Sequence, residues 1–357
     1  MLRMSIIFCF CDCKRHDTCY TCDMVILRKT IVLIMFFAFA VIWISYSAVE
    51  AGEQSLHGRI VILDAGHGEE NPNTYEGYFE HIAMLALAEK IKPILESRGA
   101  VVYMTRETDR DVELPVRTAM INKWALTTVR DLRRAALSGL SEADAAAKML
   151  NEIAEIDALM EAVQSIMDDP KKNAAIYMNY PFDYRYSREI HPLWRKVFEY
   201  EDDVDIRTRF LVISLHSNAT PLPINTSENG AEAYYITNDL VRNMYYYTGY
   251  SNIELNSYFA EQILDNIDAL GIKKREASGY YYHILRENNL PCVLVENGFH
   301  TNAGDRAKLS DDAFLNELAM VYADTIWDYF IWLGPLRDAQ LGVYDGVSGM
   351  LKGGNDG

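Results

Sequence analysis

Three apolar runs, each delivering a titratable side chain where the run stops, constrain this chain more than any other feature. Arg59-Ile-Val-Ile-Leu-Asp-Ala-Gly-His-Gly68 runs into a histidine between glycines. Phe210-Leu-Val-Ile-Ser-Leu-His216 ends on a histidine, and Pro291-Cys-Val-Leu-Val-Glu296 ends on a carboxylate followed by Asn297-Gly298. Short apolar, β-branched runs bounded by turn residues read as buried strands. Open α/β sheets build their sites along the carboxyl edge of such strands. His67, His216 and Glu296 are therefore expected together at one edge.

The intervening pattern supplies the rest of an α/β domain. After the His67 turn, a helix is predicted from about Phe79 to Ser97, with Ile82, Leu85, Ala88, Ile91 and Leu95 on one face and Gly99 as its stop. Ala100 to Thr105 reads as a second strand. The β-α-β order implies a parallel pair. Further on, Ala231–Thr237 reads as a strand, and Ser251–Leu270 and Asp311–Trp332 as helices, with a Gly-rich, mobile tail after Pro335. The fold expected is a single three-layer α/β domain over 58–334, with a central, mostly parallel twisted sheet flanked by helices.

One segment interrupts it. From Trp124 to about Asp169 the chain is Ala-rich, charged and free of proline. Ser141 with Asp144 resembles a capping box. Met149, Ile153, Ile156, Met160, Val163 and Met167 then form a narrow apolar seam at helical spacing, which Pro170 ends. A connector from Tyr177 to Asp205 leads back to the sheet. This insertion, 124–206, reads either as a helical hairpin packed on its own domain or as a regulatory arm for an activating partner. The tyrosine clusters Tyr245–Tyr247 and Tyr280–Tyr282 have faces that suit sugars, though ordinary packing is the simpler reading.

The net charge of −17 argues against nucleic acid or anionic lipid as the main partner. Five of the six cysteines precede residue 23, ahead of Met24. From Met24 a basic pair, an apolar run from Ile31 to Ile44 and small residues make a secretory signal, with cleavage expected after Ala51 and residues 31–49 as the alternative membrane anchor. The remainder is expected outside the cytoplasm, periplasmic or extracellular. It keeps Cys292 as a lone core thiol.

Two strand-end histidines can hold one metal ion through imidazole nitrogen, and a catalytic zinc takes three protein ligands with a fourth position open. The third ligand is sought among Glu69, Glu70, Glu76 and Glu80. Glu80 is favoured, because it opens the helix that packs back on the His67 strand. Glu296 is then left as the acid–base group. His81, His191, His283 and His300 read as surface or packing residues, and Asp109 with Arg117 as a loop-to-helix salt bridge.

The ordered set Asp64-Ala-Gly-His-Gly68, Glu80-His-Ile-Ala-Met-Leu-Ala-Leu-Ala88, Thr105-Arg106 with Asp109, Ser214-Leu-His-Ser-Asn218, Gly230–Tyr235 and Leu290–Asn302 resembles the zinc-dependent N-acetylmuramoyl-L-alanine amidases. The resemblance implies one Zn2+ on His67, Glu80 and His216, with Glu296 catalytic. It also implies hydrolysis of the amide joining muramic acid to the L-alanine of peptidoglycan, in wall remodelling or cell separation. Two features depart from that pattern: Glu69 stands where a second glycine is common, and the 124–206 insertion replaces a short link. In some relatives an inhibitory helix covers the zinc, and the insertion is a candidate for that role. Rival readings are a zinc peptidase acting on stem peptides and a catalytically silent wall-binding protein.

Overall fold

The computed structural model describes residues 55–177, 191–238 and 252–351, with side chains as far as residue 334. The expected signal or anchor over 1–51 and the cluster Tyr245–Tyr247 lie outside the described residues. Among the described residues no helix is long and apolar enough to cross a membrane.

In chain order the elements are β1 (Ile60–Ala65), a small hairpin of β2 (Thr74–Tyr75) and β3 (Tyr78–Phe79), α1 (Glu80–Ser97), β4 (Val101–Met104), α2 (Leu114–Leu137), α3 (Ala143–Asp168), α4 (Pro170–Tyr177), α5 (Pro192–Glu201) and the single turn α6 (Val204–Arg207). There follow β5 (Phe210–Asn218), β6 (Ala231–Tyr235), α7 (Ile253–Ala269), β7 (Lys274–Gly279), α8 (His283–Arg286), β8 (Cys292–Phe299), α9 (Ala303–Leu309) and α10 (Asp312–Leu351). The six-stranded sheet has the order β4-β1-β5-β8-β6-β7. β4, β1, β5 and β8 are parallel; β6 is antiparallel to β8 and parallel to β7. The expected α/β architecture is present.

Both faces of the central strands are buried, and the two-residue period of a strand sorts their side chains. Val61, Leu63, Leu211, Ile213, Val293 and Val295 join one apolar cluster with α1, α7 and α10. Ile60, Ile62, Phe210, Val212, Cys292 and Leu294 join the other, with Ala125, Leu126 and Val129 of α2 and Trp194, Val197 and Phe198 of α5. α1 ends where the sequence placed its stop: Gly99 has φ +94°, a left-handed conformation that glycine adopts without penalty.

The insertion differs from its expected form in four respects. α2 runs through Trp124 without a break, so the boundary expected there falls inside a helix. The capping box is absent; Glu142 is the residue before α3, and no side chain caps it. The buried stripe of α3 is Ile153, Ile156, Leu159, Val163 and Ile166, shifted from the expected seam because α3 packs on α2, leaving Met160 and Met167 at the margin. The expected connector contains α5, which Pro192 opens at its first turn and His191 caps through Nδ1, accepting from the Leu193 N–H at 3.2 Å. At the far end, α10 continues past Pro335 to Leu351. Proline removes one backbone donor, but the residues that follow it, Leu336 to Leu341, include good helix formers.

Glu201 closes α5 at full burial. One carboxylate oxygen accepts from the Asn289 N–H at 2.6 Å, and Oε1 has no hydrogen-bond partner. Burial pushes its pKa up to about 8, which the backbone donor only partly offsets. A carboxyl raised in the folded state stabilises the fold fully below its unfolded value, and that stability is lost as pH rises toward the folded value. Between pH 5 and pH 8 the chain should therefore lose about 4 kcal/mol through this residue. Glu201→Gln should remove that slope; urea unfolding at the two pH values checks it, and equal slopes in both proteins contradict it.

Candidate active site

β5 and β8 are registered so that His216 stands directly opposite Glu296. Neighbours across a parallel pair point to the same face, here the face covered by α2. β1 adds the third group: Gly66 N–H donates to Leu215 O at 2.9 Å, and the chain then turns away at His67. His67 has φ +61°, uncommon for a residue with a side chain. Two buried arginines hold that turn. Arg117 donates to Ala65 O at 2.7 Å and to His67 O at 2.5 Å. Arg106 donates to Ala65 O at 2.8 Å and to Gly66 O at 2.9 Å. Gly66 leaves room for the site: a Cβ there would lie 2.3 Å from Cε1 of His216.

Glu80, the first residue of α1, reaches in from the side and is fully buried. Its Oε1 accepts from the Ser217 N–H at 2.9 Å and lies 3.0 Å from Nδ1 of His216. Its Oε2 lies 3.4 Å from Nε2 of His67 and accepts from the Asn73 amide. One ligand atom from each of His67, Glu80 and His216 lies within 4.8 Å of the others. Two imidazoles and a carboxylate converging in this way match the donor set of a catalytic zinc centre. The charges agree. Burial alone would push the Glu80 pKa up, but the two histidines outweigh it and the net shift is down. Burial likewise opposes charge on His216, and the Glu80 carboxylate more than offsets it. His67, where burial prevails over Glu80, is shifted down. Glu69, Glu70 and Glu76 do not approach; Glu69 and Glu70 are exposed, and Glu76 pairs with Arg306.

Glu296 completes the constellation. Its Oε2 is buried without a hydrogen-bond partner. Burial raises its pKa to about 8, with Glu80 and Glu232 adding to the effect and His216 opposing it. The cavity it faces, about 330 Å³, is also lined by His67, His216, Tyr282 and His283. Among the described residues, none of 124–206 lines this cavity.

The Amidase_3 family model, N-acetylmuramoyl-L-alanine amidase, matches residues 61–129 and 135–328, more than half of the chain. The chain belongs to that family. The match runs through much of the helical insertion as well as the sheet. Among curated relatives, N-acetylmuramoyl-L-alanine amidase LytC of Bacillus subtilis strain 168 is 30% identical over 121 residues, 34% of this chain and 21% of LytC. The endolysin of Bacillus phage SPP1 is 32% identical over 116 residues, 32% of this chain and 38% of the endolysin. The matched part thus spans from a fifth to under two-fifths of these two relatives. Among solved structures, the catalytic domain of the amidase CwlV from Bacillus (Paenibacillus) polymyxa var. colistinus is 19% identical, covering 76% of this chain and 97% of that domain at a TM-score of 0.43.

The family member described here has a support beneath its site that differs from the expected salt bridge. Arg117 does not pair with Asp109. It is buried against Asp64, with Nη1 2.9 Å from Oδ1, while Asp109 faces His81 at 3.4 Å. Burial of Asp64 is outweighed by Arg117 and by donation from Ser214 and Thr105, which together hold its pKa down at about 2. An arginine on a predicted helix gives no sign that it will turn inward to hold a strand end. His283 was also missed. Burial and neighbouring Arg286 push its pKa down to about 3, so a neutral imidazole lines the cavity. His300, expected to be a packing residue, is buried, with Nδ1 3.0 Å from the Ser217 hydroxyl.

Removing Arg117 strands a buried carboxylate. Arg117→Met should lower the unfolding free energy by about 3–5 kcal/mol at neutral pH, measured by chemical denaturation. A loss below about 1 kcal/mol would show that the pair does not support the turn.

Proposed function

We propose that this chain is a zinc-dependent hydrolase of the amide between N-acetylmuramic acid and L-alanine in peptidoglycan, acting outside the cytoplasm. The observation that carries the proposal is the convergence of His67, Glu80 and His216 beside the partnerless Oε2 of Glu296. Family membership supplies the substrate class, and the relatives' names point to the same bond. His67, Glu80 and His216 are the residues that hold the ion. When bound, zinc supplies Lewis-acid chemistry, polarising an amide carbonyl and making water more acidic.

The chain's own groups do the remaining work. Glu296 takes a proton on its free Oε2 from the attacking water and returns it to the leaving nitrogen as the C–N bond breaks. A carboxyl whose pKa burial brings near neutrality can hold and release a proton under the same conditions. Asn73 and the Ser217 N–H fix the Glu80 carboxylate, so that it presents its oxygens to the two imidazoles. Arg106 and Arg117 lock the backbone behind His67, which keeps its imidazole on target. The insertion is a further candidate for an inhibitory arm worked by an activator; among the described residues its α4 lines a cavity next to the site.

The test is digestion of purified peptidoglycan by the zinc-loaded chain, with new termini identified by mass spectrometry. Free L-alanine amino termini with peptide-free glycan are expected, and Glu296→Gln should slow their release by roughly 10²–10⁴-fold. Cleavage inside the stem peptide would identify a peptidase instead. Wall binding without products from either protein would identify a silent binder.

A further inference from the structure

A second cavity, about 520 Å³, adjoins the first; Glu113, Leu114, Tyr282 and His283 line both. Its volume falls in the range of ligand sites. One wall is α4, the short helix of the insertion. Another part of its lining is the loop Tyr280–Tyr282, which leaves β7 and enters α8.

That loop is a fixed aromatic ledge. The rings of Tyr280 and Tyr281 are stacked, 5.0 Å apart and 6° from parallel, and Tyr280 and Tyr282 are 4.3 Å apart. Tyr234 of β6 packs edge-on against Tyr280 and Tyr282. Backbone contacts hold it too: Tyr280 N–H donates to Tyr235 O at 3.1 Å, and Arg286 donates to Tyr281 O at 2.9 Å. Even so, Tyr280 and Tyr281 remain 41% and 43% exposed. Apolar ring faces held rigid and left open to solvent beside a cleft are the signature of a binding surface.

The lining selects the ligand. It is mostly apolar and close to neutral in charge: exposed Lys171 is balanced by exposed Glu113, and Arg286 is already engaged with Glu287 at 3.0 Å. An acidic peptide needs an excess of cationic groups, which this cavity lacks. A pyranose ring carries C–H faces that pack on aromatic rings and an equatorial rim of hydroxyl and acetamide groups that bond to polar neighbours. We propose that α4 and Tyr280–Tyr282 form a saccharide subsite, taking N-acetylhexosamine units of the glycan strand next to the residue whose amide is cut. The proposal rests on the amidase reading and deepens it, since it gives the insertion a role in gripping substrate.

The experiment separates the two. Tri-N-acetylchitotriose, which has no peptide and no scissile amide, is titrated into the full chain by calorimetry, and the free dipeptide L-Ala-D-isoglutamine is titrated in parallel. Wild type should bind the trisaccharide, and Tyr281→Ala should raise its Kd about tenfold. Tyr281→Phe should keep the affinity, because it keeps the ring. Ala175→Trp, which fills the groove from the α4 side, should weaken binding as Tyr281→Ala does. On glycan-linked substrate Tyr281→Ala should raise KM and leave kcat unchanged. Trisaccharide binding that needs Tyr281 in a chain that cuts no wall amide would uphold the subsite and overturn the amidase reading. Wall cleavage with a KM and a trisaccharide affinity indifferent to Tyr281 would overturn the subsite alone, as would loss of dipeptide rather than saccharide binding in Tyr281→Ala.

Discussion

The pairing of β5 with β8 is the constraint on which the rest of the site depends. Parallel register places His216 and Glu296 opposite each other, and slipping one strand by a single residue would send one of them to the other face. That register is fixed well away from the site, by Val212 opposite Cys292 and Ile213 opposite Val293, all buried on one face or the other. The apolar packing that makes the strands also aligns the polar atoms at their ends. β1 joins the same ladder with Asp64 opposite Ser214, and the Asp64–Arg117 pair then converts that alignment into a fixed position for His67.

Much of this was legible in the sequence because each strand signals its burial and the first polar residue that breaks its apolar run. β1, β5 and β8 open as apolar runs; His67 lies just past the end of β1, whereas β5 and β8 continue beyond His216 and Glu296 to Asn218 and Phe299, so these two strands are longer than the apolar runs that mark them. Glu80 could be chosen among four candidates because it opens the helix following the His67 strand, and it alone comes to both histidines. Three features escaped the sequence, each for its own reason. β7, Lys-Arg-Glu-Ala-Ser-Gly, is a polar edge strand with no buried face to mark it. α5 was hidden in a connector rich in aromatics and charges, although Trp194, Val197, Phe198 and Glu201 follow helical spacing. The inward turn of Arg117 is a tertiary event, set by carbonyls from a strand far away in sequence.

The insertion changes meaning once its packing is known. Its stripe on α3 is spent against α2, and α5 supplies Trp194 and Phe198 to the core beneath the sheet. An arm free to swing would keep such surfaces out of the core. Cutting out residues 125–205 would strip Ala125, Leu126 and Val129 together with the α5 aromatics from one face of the sheet, so single substitutions are the sound way to ask what the insertion does. Among the described residues of the insertion, those of α4 wall the cavity beside the site.

Three separate elements, the turn after β1, β5 and the start of α1, bring together His67, His216 and Glu80, which would hold one ion. Zinc K-edge absorption spectroscopy on the full chain, loaded with one equivalent of zinc, tests this ligand set most directly. The expected shell is nitrogen and oxygen with two imidazoles and no sulfur, reduced to one imidazole in His216→Ala, with zinc retention weakened in Glu80→Gln. A sulfur ligand, or a shell that stays unchanged in both variants, would place the zinc elsewhere and rule out His67, Glu80 and His216 as its ligands.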